Sequence, residues 1–200
     1  MSIFAKPSEK NKPTINSDIS VLFLHGLEGS PNGEKSKNLN QGWGAKTPPL
    51  RSAPLQSLRT KYPGREWQQM PTQELNKALD FVYEDALAAL FYQKPDIVIG
   101  SSMGGALLAR LILEKKWDGP SVFLAPAIQP LLGSIALPQM NNAVWILGEL
   151  DDIVPNNDNI KYCKFTGGNL MISMKDSHRL HLALASGLID NAIITALSLV

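Results

Sequence analysis

The chain has 200 residues, a formal net charge of +1 at pH 7, 44% hydrophobic and 18% charged residues, and one cysteine. These values are typical of one globular domain that is long enough to bury a sizeable core. The near-neutral charge gives no reason to expect a nucleic acid or an acidic membrane as partner, and a single cysteine excludes an intramolecular disulfide.

Residues 1–18 are polar and rich in proline, lysine and asparagine, so we expect an N-terminal arm ahead of a single domain over 19–200. The amino terminus has no apolar region of the kind found in signal peptides, and no apolar run reaches the length of a membrane span. We therefore expect a cytoplasmic protein without a membrane span.

The first predicted strand, at about 20–25, leads into the loop HGLEGSPNG. A reaction that passes through an oxyanion needs preorganised N–H donors, and the backbone N–H of Leu27 in this loop is one candidate. His25 precedes the turn of the loop, and we expect it to order the loop rather than to transfer protons.

Two weaker features follow along the chain. A strand is predicted at about 45–48, although Gly44 and Pro48 favour an edge or a loop. Thr72 is the predicted N-cap of a helix, because Glu74 lies in its first turn and apolar residues recur at helical spacing as far as Leu90.

The pentapeptide GSSMG at 100–104 lies between an apolar, β-branched run at 97–99 and a helical segment. Strand, Gly-x-Ser-x-Gly and helix is the context of a nucleophile elbow, a sharp turn that projects a serine Oγ over the end of a sheet. Ser102 is the candidate nucleophile, because Ser101 lacks the two flanking glycines, and the N–H of Met103 is the second candidate oxyanion donor. A Gly/Ser-rich connection without catalytic function is the alternative interpretation of the pentapeptide.

Two later strands end in groups that a serine nucleophile requires. The strand predicted at 143–148 leads into the acidic segment GELDDIVP, and the strand at 169–174 leads to His178. Side chains at the carboxyl ends of parallel strands meet at one edge of the sheet. Serine needs a neighbouring general base, and the base needs a carboxylate that holds its tautomer.

The chain offers a second histidine close to the first. His181 falls in the last predicted helix, at about 180–198, where it has the spacing of a stripe with Leu184 and Leu188. We therefore expect His181 to face the core and His178, in the loop, to be the base.

The alternation of strands and helices predicts an α/β protein with a mostly parallel sheet of about six strands, covered by helices on both faces. Residues 125–142 connect two consecutive predicted strands and are enough for a loop and a short helix. The apolar residues of that connection either line an acyl pocket or pack onto the core. With three histidines and no spaced cluster of ligands, we expect neither a metal nor another cofactor. Cys163 is expected to be a structural thiol.

Several segments together resemble the α/β-hydrolase superfamily, and most closely its small bacterial esterase-type members with an abbreviated fold. They are LFLHGLEGSP with the following Lys35, VIGSSMGG, LAPAI, GELDDIVP and DSHRL, and they spread over residues 20–182. The order Ser, Asp, His along the chain matches that family. The resemblance implies a three-layer α/β-hydrolase fold, in which lid domains commonly insert after the strand that here ends at Leu124. Only residues 125–142 follow before the next predicted strand, so we expect little or no lid.

The same resemblance implies Ser102 as nucleophile, Asp151 as acid and His178 as base. In the acid loop of the family the acidic residue stands three positions after the glycine and four before the proline, which selects Asp151 over Asp152. The histidine of the family is often preceded by glycine, whereas this chain has Asp176 and a serine there.

The expected function is that of a carboxylic-ester hydrolase that acts on small or medium acyl esters through an acyl-enzyme. A thioesterase, or a peptidase or amidase, would use the same triad, and a non-catalytic binding protein on the same fold is the alternative from another class. The basic segment 35–65 is either a solvated loop face or a contact for an anionic substrate group such as a phosphate or a coenzyme A tail.

Overall fold

The structure, a computed structural model, describes residues 19–199, so the predicted N-terminal arm at 1–18 lies outside the described residues. One sheet of five parallel strands has the order β1-β2-β3-β4-β5. The strands are Val21–Leu24 (β1), Ile97–Ser101 (β2), Ser121–Leu124 (β3), Ala143–Gly148 (β4) and Asn169–Ser173 (β5). Residues of the first four strands are buried throughout, as expected of short apolar strands covered on both faces.

Helices lie between the strands and cover both faces of the sheet. They are α1 (Glu34–Trp43), α2 (Ala53–Lys61), α3 (Thr72–Gln93), α4 (Met103–Leu113), α5 (Ile128–Leu132), α6 (Asn156–Thr166), α7 (His181–Ala185) and α8 (Leu188–Ser198), with a 3₁₀ turn at Trp67–Gln69. One core packs α2, α3, α4 and α6 on one face of the sheet, and a second packs α1, α7 and α8 on the other. The predicted three-layer α/β arrangement is confirmed.

The register brings the carboxyl ends of the strands to one edge of the sheet. The last residue of β1 lies beside Gly100 of β2, and the last residues of β4 and β5 lie beside each other. Loops that follow these strands therefore meet at the same edge.

The predicted strand at about 45–48 is wrong, and the sheet in residues 19–199 has five strands rather than about six. Lys46 alone forms a bridge with Leu22 of β1. Its N–H donates to the carbonyl of Val21 at 2.8 Å, and its carbonyl accepts the N–H of Phe23 at 2.9 Å. The two prolines that follow, at 48–49, have no N–H to donate and cannot extend the ladder.

Two predicted helix boundaries also differ from the structure. Thr72 is the first residue of α3 and Pro71 occupies the N-cap position, so the predicted threonine cap is wrong. The single helix predicted at 180–198 is divided into α7 and α8, because Gly187 has a left-handed backbone with φ 77°.

The connection from β3 to β4 contains only the short helix α5, and no lid covers the carboxyl edge in the described part of the chain. Within that part no helix combines the length and the apolar character that crossing a membrane requires. Cys163 on α6 is buried, and burial raises the pKa of its thiol to about 11, as suits a structural residue.

Candidate active site

Ser102 lies in the turn between β2 and α4 with an unusual backbone, φ 53° and ψ −113°. A non-glycine residue in such a conformation costs about 1–3 kcal/mol and persists only where its surroundings enforce it. Here the N–H of Ser102 donates to the carbonyl of Leu124 at 2.9 Å. A Cβ on Gly104 would overlap the carbonyl oxygen of Leu24, and one on Gly100 would lie 2.5 Å from the carbonyl oxygen of Gly104. The tight turn therefore requires glycine at both positions.

His178 joins Ser102 and Asp151 in one chain of hydrogen bonds. Its Nε2 lies 2.9 Å from Oγ of Ser102, and its Nδ1 lies 2.8 Å from Oδ2 of Asp151. A carboxylate only accepts, so Nδ1 carries the proton towards Asp151 and Nε2 is left to accept from the serine hydroxyl. The structure thus brings together the three residues that the sequence assigned as nucleophile, acid and base.

The carboxylate of Asp151 is fully enclosed, with 0% of its side chain exposed. Its second oxygen, Oδ1, accepts the backbone N–H groups of Ile153 at 3.0 Å and Val154 at 2.9 Å. Both oxygens are therefore held, which fixes the direction in which the carboxylate meets the imidazole. Asp152 is exposed to solvent.

The two predicted oxyanion donors belong to different segments that meet at the serine, the start of α4 and the loop after β1. Met103 is the first residue of α4, so its N–H has no acceptor within the helix. Leu27 follows Gly26, where an added Cβ would lie 3.3 Å from Cβ of Ser102. Within residues 19–199 neither N–H donates to another group of the protein, which leaves both available to a substrate oxygen.

His25 is buried, with 3% exposure, at the start of the same loop. Burial lowers the pKa of its imidazole, and the hydrogen bond from Nδ1 to the carbonyl of Gly26, at 2.8 Å, only partly offsets that effect. Its buried Nε2 meets no hydrogen-bond partner among the described residues. A neutral imidazole bonded to the backbone next to Leu27 agrees with the loop-ordering function predicted for it.

His181 does not face the core, so that prediction is wrong. Its side chain is 55% exposed, and its Nδ1 lies 3.2 Å from Oε2 of Glu34. The helix α7 begins at His181 itself and ends before Gly187, so its register differs from that of one continuous helix over 180–198. Ala183 takes the buried position instead.

Asp176 is a residue that the sequence analysis did not assign, although its place in the loop before His178 was a signal. It is buried and accepts hydrogen bonds from the hydroxyl of Ser173 at 2.9 Å, the N–H of Ala183 at 2.8 Å and the N–H of Ser177 at 3.0 Å. Burial by itself raises the pKa of this carboxyl, but the hydrogen bonds outweigh burial and hold the pKa below its usual value. Asp176 therefore ties the end of β5 to the start of α7, and His178 lies in the loop between them.

A cavity of about 550 Å³ contains Ser102 and His178 in its lining. Its apolar lining comes from several elements and includes Leu27, Leu55, Trp67, Met103, Leu131 and Val154. Of the apolar residues in the connection 125–142, Ala127, Pro130 and Leu131 line this cavity, whereas Ile128 and Met140 are buried in the core. Most of that connection therefore packs onto the core, as one of the two interpretations proposed.

Among residues 19–199, no group of three or more histidine, cysteine, aspartate or glutamate side chains is arranged to hold a metal ion.

No protein-family model and no curated protein matches the sequence. Solved structures match it over most of its length. A protein of the alpha/beta hydrolase superfamily from Xanthomonas campestris pv. campestris is 21% identical, with 90% of this chain and 97% of that chain covered and a TM-score of 0.59. For the Bacillus cereus carboxylesterase the values are 17% identity, 88% and 89% coverage and a TM-score of 0.57.

Est1E from Butyrivibrio proteoclasticus, solved with ferulic acid bound, is 15% identical and gives a TM-score of 0.61, with 95% of this chain and 92% of that chain covered. At these identities the likeness concerns the fold. The chain has the α/β-hydrolase fold that the sequence motifs predict.

Proposed function

We propose that this protein is a serine hydrolase, and specifically a carboxylic-ester hydrolase that acts on small or medium acyl esters. The observation that carries this proposal is the hydrogen-bonded chain from Ser102 through His178 to the enclosed Asp151, at 2.9 Å and 2.8 Å. A hydroxyl is a weak nucleophile at neutral pH, and such a chain supplies the base that activates it.

In the first half of the reaction, Oγ of Ser102 attacks the ester carbonyl carbon while Nε2 of His178 takes its proton. Asp151 stabilises the imidazolium that results. The carbonyl oxygen becomes an oxyanion, and the N–H groups of Leu27 and Met103 would donate to it; each such donor accelerates acyl transfer by about 10²–10³-fold. His178 then protonates the leaving alcohol oxygen as the carbon–oxygen bond breaks, which leaves the acyl group on Ser102.

In the second half, water replaces the alcohol. His178 takes a proton from that water, whose oxygen attacks the acyl carbon, and the second tetrahedral intermediate is stabilised by the same two N–H groups. His178 returns the proton to Oγ of Ser102, the acyl–oxygen bond breaks, and a carboxylic acid leaves. The residues start the next cycle in their original protonation states.

The size and openness of the cavity support small or medium acyl groups. A volume of about 550 Å³ with apolar walls accommodates a short chain, and no lid covers it within the described residues. A thioesterase, or a peptidase or amidase, would use the same chain of residues. The strained backbone of Ser102 argues against a binding protein, which would gain nothing from that cost. A cytoplasmic location remains a prediction of the sequence.

The proposal is tested with a fluorophosphonate probe and a panel of p-nitrophenyl esters of increasing chain length, run beside an acyl-CoA assay. We expect the probe to label the wild type and Ser101→Ala, and we expect Ser102→Ala to remain unlabelled with kcat lowered by about 10⁶-fold. Ser101 is a matched control, since it is the adjacent serine at the end of β2. Labelling of Ser102→Ala at the wild-type rate would contradict the assignment, and acyl-CoA turnover above ester turnover would favour the thioesterase.

A further inference from the structure

Some of the charged side chains around the cavity form ion pairs, and others do not. On its rim, Arg179 pairs with Glu28 at 3.4 Å, and His181 pairs with Glu34 at 3.2 Å. Two further cations, Lys35 and Arg59, line the same cavity and have no carboxylate oxygen within 4.0 Å among residues 19–199.

Of these two cations, Lys35 has negative charge near it. Burial lowers the pKa of its ammonium group, and the carboxylates of Glu34 and Asp176 are close enough to oppose that shift. Arg179 adds to the lowering, so Lys35 lies in the field of charges of both signs.

Arg59 is held in place by an aromatic ring. It lies in the last turn of α2, and its Cζ is 5.0 Å from the ring centroid of the buried Trp67. Lys61, two residues further in the same turn, instead pairs with Glu74 at 2.7 Å. A guanidinium that lies over an indole ring is attracted to the face of the ring, and its N–H groups can still donate to a planar anion.

Two further carboxylates, those of Glu66 and Asp158, line the cavity wall. Asp158 pairs with Lys161 at 3.1 Å. Glu66 is bonded through its backbone, since its N–H donates to Oε1 of Gln69 at 3.2 Å and its carbonyl accepts the N–H of Gln69 at 3.0 Å. Outside the ion pairs, the wall in residues 19–199 therefore carries two cations, Lys35 and Arg59, and one carboxylate, that of Glu66.

We propose that Arg59 binds an anionic group, a carboxylate or a phosphate, on the ester that Ser102 cleaves. The preferred substrates are then acidic esters, with the negative charge on the acyl chain or on the alcohol. The apolar walls of the cavity would contact the carbon chain that joins the charged group to the ester. This inference rests on the proposed function and adds the substrate class to it. Charge-assisted, bidentate bonds of this kind are among the stronger polar contacts that a binding site can offer.

The test compares esters of equal length and different charge. Steady-state kinetics are measured with p-nitrophenyl valerate, mono-p-nitrophenyl glutarate and p-nitrophenyl 4-phosphonobutyrate, which separate neutral, carboxylate and phosphonate acyl chains. A second pair, 4-(valeryloxy)benzoate and its methyl ester, places the charge on the alcohol. We expect wild-type kcat/KM to favour the charged member of at least one pair by about 10-fold or more, since hydrogen bonds to charged groups are worth about 1.5–3 kcal/mol.

The variant Arg59→Met keeps an apolar stem against Trp67 and removes the charge. We expect it to abolish the preference by raising KM for the charged ester, while kcat/KM for the neutral ester changes less than about twofold. Arg59→Lys should retain part of the preference. Arg65→Met is the matched control, because Arg65 also stacks on a ring, 5.4 Å from the centroid of Tyr62, but lies outside the cavity lining. The wild-type preference should shrink as ionic strength rises.

Several results would overturn the inference. One is a wild-type kcat/KM that is equal for neutral and charged esters. Another is an Arg59→Met variant whose kcat/KM falls by the same factor for both. The third is a preference for charged esters that Lys35→Met removes and Arg59→Met does not. If Arg59 only covers Trp67, Arg59→Met lowers thermal stability and leaves charge selectivity unchanged. A wild type that cleaves neither class of ester contradicts the proposed function itself and the inference with it.

Discussion

The elbow after β2 and the loop after β5 each supply one side of the hydrogen bond between Ser102 and His178, yet they are built differently. All five residues of β2 are buried, and the turn that follows packs against the backbone of β1. In contrast β5 is an edge strand, in which Leu170 and Ile172 are each 39% exposed. The loop after β5 is held by hydrogen bonds to the buried carboxylate of Asp176.

The difference shows two ways of fixing a side chain at the edge of one sheet. Steric contact places the nucleophile: glycines allow the backbone to approach closely, and the surrounding core maintains the strain at Ser102. A polar network helps to place the base, because donors from β5, from the loop and from α7 converge on the carboxylate of Asp176. The first device is insensitive to pH, whereas the second depends on a charge.

The largest effect is expected when the base is removed from the β5 loop. His178→Ala should lower kcat by about 10⁶-fold, comparable to loss of the nucleophile, because the two residues act as one unit. His181→Ala is the matched control, since His181 lies three residues away and is exposed, and we expect its kcat to change by less than about twofold. Kinetics with a p-nitrophenyl ester and circular dichroism of both variants measure this.

An inactive but folded His181→Ala beside an active His178→Ala would reverse the assignment. It would also show that the loop after β5 does not hold the imidazole where the hydrogen bonds indicate.

A smaller loss is expected from the carboxylate that orients the base. Asp151→Asn should lower kcat by about 10⁴-fold, because an amide in place of the carboxylate favours the wrong imidazole tautomer. Asp152→Asn should change kcat by less than about twofold, since Asp152 is exposed. The opposite ranking in the same assay would move the acid one residue along the chain.

The smallest effect concerns stability and tests the contrast between the two regions directly. Asp176→Asn should lower the free energy of unfolding at pH 7 by about 1–3 kcal/mol, because it weakens a buried hydrogen-bonded network. The pKa of Asp176 is depressed in the folded protein, so its contribution is present above the usual aspartate pKa and is lost as the pH falls through the folded value. The destabilisation should therefore shrink below about pH 3.9.

Met103→Ala provides the comparison from the elbow. Met103 is buried and does not titrate, so the cavity it leaves should cost about 2–5 kcal/mol at every pH. Urea denaturation of both variants between pH 7 and pH 3 measures how the loss of unfolding free energy depends on pH in each. A destabilisation by Asp176→Asn that stays constant over this range would contradict the charge-dependent account of the base loop.

The sequence predicted the fold and the positions of the site residues because both depend on local order along the chain. An alternation of apolar strands and helices forces a parallel sheet, and the carboxyl ends of parallel strands share one edge. Ser102, Asp151 and His178 each follow such a strand, so their proximity was predictable without coordinates. Their catalytic functions remain predictions that the variants above test.

The tertiary structure decided what depends on contacts between distant segments. Whether 45–48 forms a strand depended on hydrogen bonds to β1, and whether His181 faces the core depended on a break at Gly187 that helical spacing does not reveal. The network around Asp176 joins β5 to α7, and Arg59 of α2 lines the same cavity as the serine of the elbow. The periodicity of apolar residues indicates which face of its own helix or strand a residue lies on. Only packing in three dimensions determines which residues that face contacts.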